Sequence, residues 1–216
     1  MATPITIDVV SDVVCPWCYV GKRRLEMTLA SRKDIAAEIR WRPFFLDPTV
    51  PREGKPRIDY ITGKFGGTEK LTAAHKRLTG IGAEAGIDFH FEDIEVQPNT
   101  LDAHRVIGWA MVEGKADAVV DNLFRDFFVN GANLADPETL AAAGARGGMD
   151  IAKLRADLAS DKDSELVRKQ AQAASASGIG GVPFFVFNSK IALAGAQEAE
   201  VISSAIDQSL AAATGG

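Results

Sequence analysis

Cys15 and Cys18 are the only cysteines among 216 residues, and they frame a Cys-Pro-Trp-Cys motif. Two residues between the sulfurs let one helical turn bring them within bonding distance. One thiol can then attack a disulfide while the other releases the product. A pair at this spacing between a strand and a helix supports dithiol–disulfide exchange. Pro16 suits the first helical position, where its missing N–H would have no intrahelical partner. Cys15 then stands at the helix N-terminus, where free backbone N–H groups and the helix dipole favour its thiolate. Carried forward at the helical period, Cys18 shares an apolar face with Gly21, Leu25 and Leu29. The expectation is a buried, resolving Cys18 and an exposed, attacking Cys15. Lys22, Arg23 and Arg24 read as a solvated charge run.

A structural metal knuckle would need two further ligands. There is no third cysteine, and His75, His90 and His104 are spaced far beyond a close histidine pair, so no metal is expected. A permanent bridge is also disfavoured, because so small a loop constrains the unfolded chain little. Trp17 reads as a substrate contact, since indole only donates and does not titrate. Asp12 lies three residues before Cys15. Buried, it could exchange protons with Cys18. Solvated, it is an ordinary loop aspartate, the commoner fate of a carboxylate.

The elements that must position this pair are legible in part. Residues 5–10 alternate as a strand, and residues 15–31 follow at helical period. Residues 39–46 form a second strand candidate, which Pro43 weakens or bulges. A loop rich in Pro, Gly and charge covers 47–56. From about 58 to 177 the period is helical, with Val120, Leu123, Phe124, Phe127 and Phe128 on one stripe. Asp136-Pro137 and Asp150 open helices, and another helix is expected over 161–178. Residues 87–91 alternate like a strand without a nearby partner and read as an extended connector. Residues 184–187 and 191–194 are short strands around an Asn188-Ser189 turn, before a last helix over 198–212. The expected organisation is one domain from 1–57 and 178–216 around a helical insertion, 58–177.

Hydrophobic residues make up 46% of the chain and the formal net charge is −5. With a pI of about 5.3 and no basic patch interleaved with aromatics, nucleic acid is not an expected partner. No apolar stretch is long enough to span a membrane. The opening Met1-Ala2-Thr3-Pro4 lacks the basic and apolar regions of a secretory signal. For a chain complete at this end, the expected compartment is the cytoplasm. There thiols are kept reduced and the pair would work in cycles.

The order of elements, with Cys-x-x-Cys opening the first helix and Val182-Pro183 before the third strand, resembles a thioredoxin fold with a large all-helical insertion. That is the α/β architecture of the DsbA family. Residues 12–21 (DVVCPWCYVG), 99–105 (NTLDAHR), 181–187 (GVPFFVF) and 195–197 (GAQ) resemble its FrnE-like subgroup. The resemblance covers essentially the whole chain and implies a dithiol–disulfide oxidoreductase or isomerase acting on protein or small thiols. It implies no tightly bound cofactor, with glutathione as an exchange partner. It also implies a cis Val182–Pro183 peptide against the sulfurs, with Val182 offering its backbone to an extended substrate. Pro16 and Trp17 would contact the same substrate. Asn99, Thr100 and His104 would begin a helix near the dithiol, although a helix cap and a packed histidine explain those residue types equally.

The motif departs from the Pro-His pair of strongly oxidising DsbA proteins, which implies a less extreme potential. Glutathione-dependent isomerases and kappa-type transferases share the inserted-helix architecture and resemble the 99–105 segment. They carry serine at the position of Cys15, so two cysteines argue for exchange. A non-enzymatic redox-sensing module is the third reading. The oligomeric state is left open by the sequence.

Overall fold

A computed structural model describes residues 2–66 and 69–214. In chain order the elements are β1 (Thr3–Ser11), α1 (Pro16–Ser31), β2 (Ile35–Pro43), β3 (Lys55–Pro56), α2 (Arg57–Phe65) and α3 (Glu69–Glu84). A 3-10 turn (Phe91–Asp93), β4 (Val96–Gln97), α4 (Leu101–Val112), α5 (Ala116–Phe128), α6 (Pro137–Arg146), α7 (Ile151–Leu158) and α8 (Ser164–Ala176) follow. The chain closes with β5 (Phe184–Phe187), β6 (Ile191–Ala194) and α9 (Ala199–Thr214). This is the mixed α/β pattern of a DsbA-like thioredoxin fold. None of the described helices is long and apolar enough to cross a membrane.

The chain divides into two compact units, Met1–Phe44 with Gln170–Gly216, and Phe45–Lys169. These divisions differ from the expected ones at 57/58 and 177/178. The loop over 47–56, expected within the first domain, belongs to the helical unit. Val50 is buried with Tyr60 and Ile61, and its carbonyl accepts from Asn99 Nδ2 at 2.6 Å. Lys55 and Pro56 pair antiparallel with Gln97 and Val96. A two-residue ladder is too short to leave a period in the sequence.

In the first unit the strand order is β2-β1-β5-β6. β1 pairs parallel with β2 from Thr3↔Ile35 to Ser11↔Pro43, and antiparallel with β5 from Ile7↔Phe187 to Val10↔Phe184. Pro43 therefore ends β2, where a residue without an N–H is tolerated. Alternation puts Ile5, Ile7 and Val9 of β1 and Phe185 and Phe187 of β5 into the core, each at most 2% exposed. α9 packs beside α1 and β6.

In the helical unit the stripe on α5 is the core. Leu123, Phe124, Phe127 and Phe128 are fully buried, and Phe128 meets Phe89 and Phe127 edge-on. Residues 87–90 form no strand. They run as a connector whose His90 N–H donates to the Phe128 carbonyl at 2.8 Å. Asp136 and Asp150 cap α6 and α7, accepting from Glu138 N and Lys153 N at 3.0 and 2.9 Å.

Candidate active site at the head of the first helix

β1 delivers the motif. Past Ser11 the chain turns, and the Asp12 carbonyl accepts from Cys15 N at 3.0 Å. Cys15 is extended (φ −95, ψ 113) and Pro16 takes the first helical position. The Cys15 carbonyl accepts from Cys18 N at 3.0 Å and Tyr19 N at 3.3 Å, so the first turn closes beneath the sulfurs.

Both cysteines are free thiols. Cys18 is 2% exposed, as the apolar stripe requires, but Cys15 is only 4% exposed. The expectation of an exposed Cys15 is corrected. A helix-start position speaks only for the local chain, whereas the turn before β5 brings the Val182 carbonyl to 3.6 Å from this sulfur. Burial pushes the Cys18 thiol well above its usual range, and its hydrogen bond and proximity to the Cys15 sulfur push it further. The Ser11 hydroxyl and the Asp12 backbone N–H act in the opposite direction, since both donate to the Cys18 sulfur.

The Val182–Pro183 peptide is cis. Cys15 Sγ donates to the Val182 carbonyl at 3.6 Å. Pro183 is buried, while Val182, Pro16 and Trp17 are half-buried and form the accessible margin of the site. Gly21 explains how the turn comes so close. A Cβ there would lie 2.9 Å from Pro183 Cγ and 3.2 Å from Phe185 Cζ. Sequence reasoning put Gly21 on the right face without seeing this function. A glycine inside a helix, which costs about 1 kcal/mol against alanine, is the signal of such an approach.

Three further residues behave differently from their expected reading. Asp12 is 1% exposed and is no solvated loop aspartate. Lys22 is 3% exposed and pairs with Glu26, and the Arg24 side chain is 12% exposed. Only Arg23 retains the expected solvated character. Long aliphatic stems let such residues line a packed helix face while their charges find partners.

Asn99, Thr100 and His104 belong to the helical unit, where Asn99 and His104 meet Val50 and Phe45. Asn99 Oδ1 accepts from Leu101 N at 2.9 Å, so Asn99 rather than Thr100 caps α4. His104 is buried, with its ring 5.7 Å from that of Phe45. The buried charge of this segment is Arg105, fully enclosed. It donates to the carbonyls of Asp157, Ser160 and Lys162, each at 2.7 Å.

A strand–Cys-x-x-Cys–helix unit with a buried second thiol and a Val-Pro turn over the first defines a thiol–disulfide oxidoreductase of the thioredoxin class. The chain belongs to the family whose model is described as a DSBA-like thioredoxin domain, which matches residues 6–207. Its structure is similar to that of a probable DsbA oxidoreductase from Streptomyces coelicolor, with 32% identity and a TM-score of 0.87. That match covers 96% of this chain and 90% of the other. The uncharacterized protein YwbO of Bacillus subtilis is 25% identical over 203 residues, 94% of this chain and 96% of YwbO. The cytosolic disulfide reductase DsbM from Pseudomonas aeruginosa, solved with GSH, shares the fold at 15% identity and a TM-score of 0.63. That comparison covers 97% of this chain and 98% of DsbM. The chain is thus an enzyme of the DsbA-like oxidoreductase and isomerase class.

Proposed function

We propose that this FrnE-like enzyme exchanges disulfides with protein or small-molecule thiols, with Cys15 as nucleophile and Cys18 as resolving thiol. The observation that carries this reading is the inequality of the two sulfurs. Cys18 is enclosed and held as a thiol by burial and by its hydrogen bond to Cys15. Cys15 sits at the helix start under the half-buried rim of Pro16, Trp17 and Val182. In the forward half-reaction the Cys15 sulfur anion attacks a substrate S–S bond. A Cys15–substrate disulfide forms and one substrate thiolate leaves. Cys18 then passes its proton to the neighbouring Asp12 carboxylate and attacks the Cys15 sulfur. The Cys15–Cys18 bond forms, and the second substrate thiolate departs and takes up a proton.

The reverse sequence oxidises a dithiol, so the direction is set by the partners' potentials. Val182 would offer its backbone to an extended substrate, as strand-adding peptides require. Glutathione, with which DsbM of P. aeruginosa was solved, is the small thiol we assign to recycling, in a cytoplasmic setting and without a tightly held cofactor. The test equilibrates the protein in reduced and oxidised glutathione and counts free thiols. A single two-electron transition between dithiol and disulfide supports exchange. A pair that stays reduced throughout, in a protein that isomerises a glutathione adduct, supports the kappa-type alternative instead.

A further inference from the structure

We propose that α1 itself sets the turn over its sulfurs: Gly21 and Arg24 are positioning residues that fix the Val182 carbonyl against Cys15 and so set how readily the pair oxidises. The inference rests on Cys15–Cys18 being an exchange pair.

Two routes lead from α1 to the turn. The first is contact. Gly21 faces Pro183 Cγ, Pro183 Cβ and Phe185 Cζ, which a Cβ would meet at 2.9, 3.4 and 3.2 Å. Neither neighbour yields easily. Pro183 is a ring held in the backbone, and Phe185 is fully buried and paired with Val9. Any side chain at 21 therefore displaces the turn.

The second route is a tether. Arg24 Nη1 donates to the Ala196 carbonyl at 2.7 Å, and Nη2 pairs with Glu198 at 2.7 Å. One residue earlier, Gly195 N donates to the Pro183 carbonyl at 2.8 Å. Gly195 adopts φ +80, and Gln197 Nε2 ties the same loop by donating to the Ala194 carbonyl at 2.8 Å. Gly21 sets how near the turn can come, and Arg24 keeps it there.

The chemical consequence lies at the 3.6 Å contact between Cys15 Sγ and the Val182 carbonyl. Cys15 donates its S–H to this oxygen only in the reduced pair, since a disulfide has no S–H to give. Withdrawing the carbonyl removes an interaction of the reduced pair alone, and the disulfide then becomes harder to reduce.

The experiment compares wild type, Gly21→Ala, Arg24→Gln and Arg24→Lys in glutathione buffers, with thermal midpoints of the oxidised and reduced forms. We expect the oxidation equilibrium constant to rise roughly 3- to 10-fold in Gly21→Ala and Arg24→Gln, the range one hydrogen bond represents. Arg24→Lys, which keeps one donor for Ala196, should reverse part of the rise. A merely structural role lowers both midpoints equally and leaves the equilibrium constant unchanged. That result in either folded variant overturns the proposal. Should Gly21→Ala fail to fold, the two Arg24 variants decide alone. A wild-type pair that never exchanges with glutathione overturns the exchange reading itself, a failure distinct from unchanged variants of a working pair.

Discussion

The Val182 carbonyl oxygen stands 3.6 Å from the Cys15 sulfur, although 167 positions separate the two residues. The sheet makes this possible. β5 runs antiparallel to β1, and Phe184 pairs with Val10. The chain entering β5 therefore arrives at the end of β1 where α1 begins. A strand pairing at the end of the chain thus completes a site whose sulfurs lie near its beginning.

The raised Cys18 thiol predicts both reactivity and stability. In the reduced protein at pH 7 to 8, an alkylating reagent should modify Cys15 before Cys18. The unfolded chain loses the Cys18 proton near the ordinary value of 9.0, while the folded chain retains it to higher pH. The stability this gives is complete below that pH. It is lost as the pH rises from there through the folded value, at a slope approaching roughly 1 kcal/mol per pH unit. Urea denaturation of the reduced protein between pH 8 and 10.5 should show this decline. The Cys18→Ala variant should show a shallower one, and equal slopes would contradict the burial argument.

Asp12 is buried, and its backbone N–H donates to the Cys18 sulfur; the exchange mechanism makes its carboxylate the base for that thiol. Asp12→Asn keeps the shape and removes the base. It should slow release of a mixed disulfide by about 100-fold, the lower range of general base contributions, and leave its formation near the wild-type rate. Stopped-flow with a fluorescent disulfide peptide separates the two steps. A slowed first step with a normal second would assign Asp12 elsewhere.

Local chemistry accounts for what was legible in the sequence. β1 alternates, α1 begins at Pro16, and Asp136 and Asp150 cap their helices, each from residues close together in the chain. The misread features depend on distant partners. β2 begins at Ile35 because β1 pairs with it from Thr3, although Ile35-Ala36-Ala37-Glu38 carries no alternation of its own. The burial of Cys15, Asp12 and Lys22 is encoded in no helical or strand period. The close approach at Gly21 depends on where Pro183 arrives.

Arg105 illustrates the same point in the helical unit. Its type suggests a surface charge or a ligand contact, yet it closes the end of α7 and the turn beyond through three carbonyls. Arg105→Met should cost about 3 kcal/mol or more in chemical denaturation, because buried acceptors lose their donors. The glutathione equilibrium of the folded variant should stay at the wild-type value. A shifted equilibrium with unchanged stability would give Arg105 a role in exchange.

The most direct test of the central claim is mixed-disulfide trapping. Cys18→Ala and Cys15→Ala are each offered the same disulfide peptide, and the adducts are read by intact mass under non-reducing conditions. The account predicts a stable Cys15–peptide adduct in Cys18→Ala, because the attacking sulfur remains and the resolving one is gone. It predicts little or no adduct in Cys15→Ala, where the remaining thiol is enclosed and protonated. A peptide adduct on Cys18 in Cys15→Ala, with none on Cys15 in Cys18→Ala, would contradict it.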